Sequence, residues 1–95
     1  MLVIDLHFPE AGSLKSKRKE LSSIKSQLSR RLGVAVAETG YQDLWQRATL
    51  TAALTGGSLR RLAAAADEVE RWVLARCPES ASVERLVASV EDLRG

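Results

Sequence analysis

An α+β sandwich, four antiparallel strands under two helices, is the fold this sequence predicts, and three observations predict it. Apolar residues alternate along Leu2–Phe8, Val34–Thr39 and Trp45–Leu54, the two-residue period of half-buried strands. Two longer stretches, Leu14–Leu32 and Leu59–Arg76, carry the three-to-four-residue period of amphipathic helices. A serine stands just before each helical stretch, Ser13 and Ser58, where a side-chain oxygen can cap free backbone N–H groups.

In the first strand, Leu2, Ile4, Leu6 and Phe8 share one face, and Val3, Asp5 and His7 the other. Pro9 ends it, because proline offers no N–H to a ladder. The first helix aligns Leu14, Leu21, Ile24, Leu28 and Leu32, with Lys15, Lys19, Lys25, Ser26 and Arg30 opposite. Gly33 is its natural stop. The second strand follows, and Gly40-Tyr41-Gln42-Asp43-Leu44 reads as a hairpin connection. In the third strand Ala48, Leu50, Ala52 and Leu54 face inward, and Trp45, Arg47, Thr49 and Thr51 outward. Thr55-Gly56-Gly57-Ser58 turns into the second helix, whose inner stripe is Leu62, Ala66, Val69 and Val73. Asp67 and Arg71 are spaced there for a surface ion pair. Cys77-Pro78 closes that helix. A last strand is expected over Val83–Asp92, with Leu86, Ala88 and Val90 inward and Val83, Arg85, Val87 and Ser89 outward.

The order β-α-β-β-α-β is that of ferredoxin-like domains. Right-handed crossovers then give strand order 4-1-3-2, with both helices on one face. The 95 residues suit a single domain, 1–95. One cysteine, Cys77, excludes a disulfide within the chain and suits a reducing cytoplasm. Leu2-Val3-Ile4 is too short for a signal peptide, and no apolar run approaches the ~20 residues of a membrane span.

The net charge of +2 hides an asymmetry. Residues 1–47 hold eight basic and five acidic side chains; residues 48–95 hold six and seven. Lys15, Lys17, Arg18 and Lys19 crowd the expected start of the first helix. A helix N-terminus disfavours each cation there by about 0.3–1 kcal/mol. Folding alone would not select the cluster, so something outside the fold is a candidate user of it; the commoner meaning of a basic helix is a solvated face. The predicted topology adds His7, Tyr41, Gln42, Asp43, Trp45 and Arg47 to the same edge. Cations, amides and aromatic rings together suit RNA, through phosphate contacts and base stacking. The candidate nucleic-acid residues are therefore Lys15, Lys17, Arg18, Lys19, Gln42, Trp45 and Arg47. Asp43 is a candidate counter-charge to Lys17 or Arg18.

No catalytic triad, metal set or phosphate loop is visible, and no cofactor is expected. Gly56-Gly57 lacks the spacing and the Lys-Ser/Thr ending of a phosphate loop. The central strands also lack the exposed aromatics of ordinary RNA-recognition modules, offering Val3, Asp5, His7, Arg47, Thr49 and Thr51 instead. That face suits self-association as a homodimer, by face packing or edge pairing. A shallow enzyme or ligand site using His7 and Arg47 is a third, minor reading.

Two stretches, Ser13-Leu14-Lys15-Ser16-Lys17-Arg18 and Ala37-Glu38-Thr39-Gly40-Tyr41-Gln42-Asp43-Leu44-Trp45-Gln46-Arg47-Ala48, resemble the YlxP-like family of small bacterial proteins. His7-Phe8-Pro9 also fits it. The resemblance spans almost the whole chain and implies a ferredoxin-like fold without a known activity. Genes of the family often lie beside those for a translation initiation factor and a ribosome-binding factor, which implies by association a role near the ribosome or RNA. The expected protein is a non-enzymatic RNA- or ribosome-associated factor; the alternative is a homodimeric interaction module.

Overall fold

A computed structural model describes residues Met1–Gly95. The elements are β1 (Leu2–His7), α1 (Leu14–Leu32), β2 (Ala35–Gly40), β3 (Arg47–Ala53), α2 (Leu59–Arg76), β4 (Ala81–Arg85) and a short α3 (Val90–Arg94). The four strands form one antiparallel sheet in the order β2-β3-β1-β4. Read from its other edge, this is the order expected from the sequence. The longer helices share one face, α1 against β2 and α2 against β4.

The alternation does what its period requires. Leu2, Ile4 and Leu6 of β1 and Ala48, Leu50 and Ala52 of β3 are almost wholly buried beneath Leu21, Ile24, Leu28, Val69 and Val73 of the helices. Fourteen apolar residues make this single core. For so few, a Leu→Ala change at Leu50 would cost about 2–5 kcal/mol, a large share of a small domain's stability. Both predicted caps form: the Ser13 hydroxyl accepts from Ser16 N–H at 3.1 Å, and that of Ser58 from Arg61 N–H at 3.2 Å. Gly33 ends α1 with φ of +65°, a left-handed turn that glycine adopts without strain.

The C-terminal region departs from expectation. β4 runs only from Ala81 to Arg85, and the segment expected to continue it becomes an irregular stretch, 86–89, and α3. Ser89 causes the switch. Its hydroxyl accepts from Asp92 N–H at 3.1 Å, while the Asp92 carboxylate accepts from Ser89 N–H at 3.0 Å, a capping box that starts a helix. Those hydrogen bonds hold the Asp92 carboxyl below its ordinary range. The register of β4 also shifts by one face. Val83 stands opposite Ile4 and Arg85 opposite Leu2, so both lie on the helix side. There Arg85 pairs with Asp67 at 2.6 Å and Glu70 at 3.2 Å. Asp67 thus serves Arg85, not Arg71. Val87 and Ser89 lie outside the sheet, and Trp45 precedes β3 in the connecting loop.

Candidate functional site

The edge expected from topology exists, but its centre is occupied by the fold. Lys17 comes from the second turn of α1, where the helical period aims it inward beside Leu21 and Leu28. It is the buried charged residue of the chain, with 1% of its surface exposed. Its ammonium donates to the carbonyl oxygens of Tyr41, at 2.6 Å, and Leu44. The Glu38 carboxylate stands 3.6 Å away. Of the three N–H donors of an ammonium, two go to these carbonyls, and the Glu38 carboxylate supplies the counter-charge. Lys17 therefore offers nothing to an external phosphate. Its counter-charge is Glu38 on β2, not the exposed Asp43.

Local backbone geometry explains how the hairpin meets this lysine. The β2–β3 ladder shifts register between Glu38 and Gly40. A Cβ at Gly40 would stand 3.1 Å from the Thr49 side chain, so this crossing favours glycine. Tyr41 then takes φ of +58°, a left-handed conformation uncommon outside glycine. Leu44 N–H closes the turn on the Tyr41 carbonyl at 3.1 Å. Gln42 donates to the Glu38 carbonyl at 3.3 Å. The tip is thereby tied to α1 on one side.

On the other side it is tied to the sheet. Arg47 opens β3 opposite His7 of β1, on the face that no helix covers. Its guanidinium lies 4.1 Å from the centre of the Tyr41 ring, a cation–π contact. Its Nε is buried without a hydrogen-bond partner. Tyr41 and Trp45 remain 42% and 48% exposed. Two rings are therefore held open to solvent on a pinned loop.

The remaining cations ring Lys17 without burial. Lys15, Arg18 and Lys19 are exposed and make no ion pair. Lys25, Arg30 and Arg31 extend the series along α1. The helix holds seven basic residues; with Lys17 removed, six unpaired cations remain. Its single acid, Glu20, is engaged by Arg76 at 3.8 Å.

The rest of the uncovered face is quieter. Thr49 donates to Asp5 at 2.8 Å, and the hydroxyls of Thr39 and Thr51 lie 2.8 Å apart. Val3, Asp5, Thr49 and Thr51 are half-buried and His7 is exposed. His7 also lines a cleft of about 210 Å³ with Cys77, Glu10, Glu20 and Arg76. Burial pushes the Cys77 thiol up, which keeps it neutral and a poor nucleophile. No helix is long and apolar enough to cross a membrane.

Sequence reasoning missed two members of this arrangement. Glu38 alternates correctly to the helix side, and that signal could have paired it with Lys17. The main-chain carbonyls of Tyr41 and Leu44 carry no such signal, because backbone acceptors are the same in every sequence.

Residues 1–85 match the family described as "Protein of unknown function (DUF503)", a span that ends with β4 and leaves α3 beyond it. The chain is also similar to the "Uncharacterized protein YlxP" of Bacillus subtilis (strain 168). The two are 36% identical over 74 residues, which covers 67% of this chain and 80% of the relative.

Proposed function

The chain belongs to the DUF503 family, whose description assigns no activity, and we propose from its surface that it is a non-enzymatic RNA-binding accessory protein, acting at or near the ribosome. The observation that carries this reading is the outer face of α1, with six unpaired cations and one already neutralised acid. Such a face attracts a phosphate backbone by releasing its condensed counterions. Lys15, Arg18 and Lys19 supply the phosphate contacts nearest the hairpin, and Trp45 stacks on an unpaired base. Arg47, braced on Tyr41, keeps its terminal N–H groups free for phosphate or a base edge. The strand and helix order agrees with a ferredoxin-like fold, and the lone thiol agrees with work in the cytoplasm. Fluorescence anisotropy with a labelled single-stranded RNA tests the reading. Reversing Lys15, Arg18 and Lys19 to glutamate should weaken binding strongly, and undiminished binding by that variant would sink it.

One observation supports a second reading, a homodimer through the uncovered sheet face. The Asp5–Thr49 and Thr39–Thr51 contacts already satisfy polar groups there, so covering the face desolvates fewer unpaired groups. Light scattering with Arg47→Glu checks it: this variant should dissociate such a dimer.

A further inference from the structure

The fold holds the Tyr41 ring in place without burying it. The backbone there takes φ of +58°, a conformation that glycine and asparagine accept readily and a bulky side chain accepts at a cost. Folding would therefore favour a smaller residue at position 41. The core does not account for the tyrosine either. Its ring belongs neither to the core nor to the apolar residues packed against it, and it is exposed. A backbone outlier that packing does not require is a reason to look for a ligand.

The surroundings fix where the ring sits. The Lys17 ammonium holds the Tyr41 carbonyl at 2.6 Å and also the Leu44 carbonyl, so both ends of the turn are fastened to α1. Leu44 N–H closes the same turn on the Tyr41 carbonyl at 3.1 Å. The Arg47 guanidinium, 4.1 Å from the ring centre, covers one face of the ring. What the ring shows to solvent is then its edge and its opposite face. Trp45, also exposed, follows directly after Leu44. One pinned turn thus carries two open aromatic surfaces.

We propose that Tyr41 is a base-stacking platform beside Trp45, and that the RNA this edge takes is single-stranded, with at least two unpaired bases. The proposal rests on the RNA reading above and specifies the form of the ligand. In a duplex the base faces lie against one another, and a protein reaches only edges, sugars and phosphates. In a single strand every base offers a face to an aromatic ring. A base on the open face of Tyr41 completes a stack of guanidinium, phenol ring and base, with the cation already in place on the far side. Because the turn is fixed before the strand arrives, little of it remains to be ordered on binding.

Fluorescence anisotropy with a short labelled RNA strand, alone and annealed to its complement, tests the proposal. Tyr41→Asn removes the ring and keeps a residue that accepts the left-handed backbone, so its thermal midpoint should stay close to that of the wild type. It should bind the single strand about fivefold or more weakly and the duplex as the wild type does. Tyr41→Phe keeps the ring and should match the wild type on both. An abasic nucleotide at the stacked position should weaken the wild type and leave Tyr41→Asn unaffected, a coupling that mere damage to the hairpin would not produce. Wild-type affinity of Tyr41→Asn for the single strand overturns the proposal. So does an equal loss on single strand and duplex. If either result appears while reversal of Lys15, Arg18 and Lys19 still weakens binding, the RNA reading stands and the platform alone falls. A wild type that binds neither form removes both.

Discussion

Lys17 donates its ammonium to the main-chain carbonyl of Tyr41 at 2.6 Å, across 24 residues of chain. This contact joins the basic start of α1 to the β2–β3 hairpin. It also changes what the basic cluster means. One of its four cations is an internal clamp, and only the other three face solvent.

Removing the clamp should be costly. Lys17→Met leaves Glu38 without its counter-charge and the Leu44 carbonyl without its side-chain donor, while the Tyr41 carbonyl keeps only the Leu44 N–H. Breaking a buried pair from one side typically costs about 3–5 kcal/mol. Urea denaturation should show a loss of that order. Adding Glu38→Gln should recover part of it, because the orphaned charge is gone. Equal midpoints for wild type and Lys17→Met would show that the ammonium does not hold the hairpin.

Lys15→Glu should act in the opposite direction. Lys15 is exposed in the first turn of α1, against the helix dipole. A carboxylate there interacts favourably with the N-terminal N–H groups, so stability should rise by about 0.3–1 kcal/mol. Thermal unfolding at low salt measures it. A cation retained at a cost in stability is what an external anion site would leave behind.

Trp45→Ala should separate folding from binding. The ring is 48% exposed, so its loss should change stability by only about 0.5 kcal/mol. Stacking on a base is worth about 1–3 kcal/mol, so RNA affinity should fall by a factor of five or more. Titration of both proteins with one RNA checks the split. If stability falls while affinity holds, Trp45 is a packing residue.

Cys77 gives a pH dependence. Burial is the largest influence on its thiol and raises its pKa, with Glu20 adding to this and Arg76 opposing it. The folded state therefore holds this proton more tightly than the unfolded state does. Its contribution is fully present below the unfolded thiol pKa, near 8.5, and is lost as pH rises towards the folded value. Alkylation at pH 8.5 should be slower in the native protein than in urea, and Cys77→Ser should flatten stability above that pH. Equal alkylation rates would contradict a thiol shielded by the fold.

Much of the fold was legible because period and caps agree. Leu2–Leu6, Leu21–Leu28 and Ala48–Ala52 follow their periods closely, and Ser13, Gly33 and Ser58 punctuate them as their chemistry requires. The C-terminal error at Val83–Asp92 arose from alternation competing with a cap. Leu86, Ala88 and Val90 alternate, but the Ser89–Asp92 capping box starts a helix at Val90. The site was legible in outline and not in roles. Topology gathers α1 and the hairpin at one edge, as expected. Which cation points inward is set by the angular position of Lys17 relative to Leu21 and by carbonyls that sequence does not mark.

The central claim is that the three exposed cations, not Lys17, bind a phosphate backbone. The most direct test is the salt dependence of RNA affinity for wild type and the Lys15→Glu, Arg18→Glu, Lys19→Glu variant. Each lost phosphate contact on a single strand lowers the slope of log K against log salt by about 0.7. The variant's slope should therefore be shallower by about 2, with its fold intact. An unchanged slope, or wild-type binding that does not vary with salt, would contradict the account.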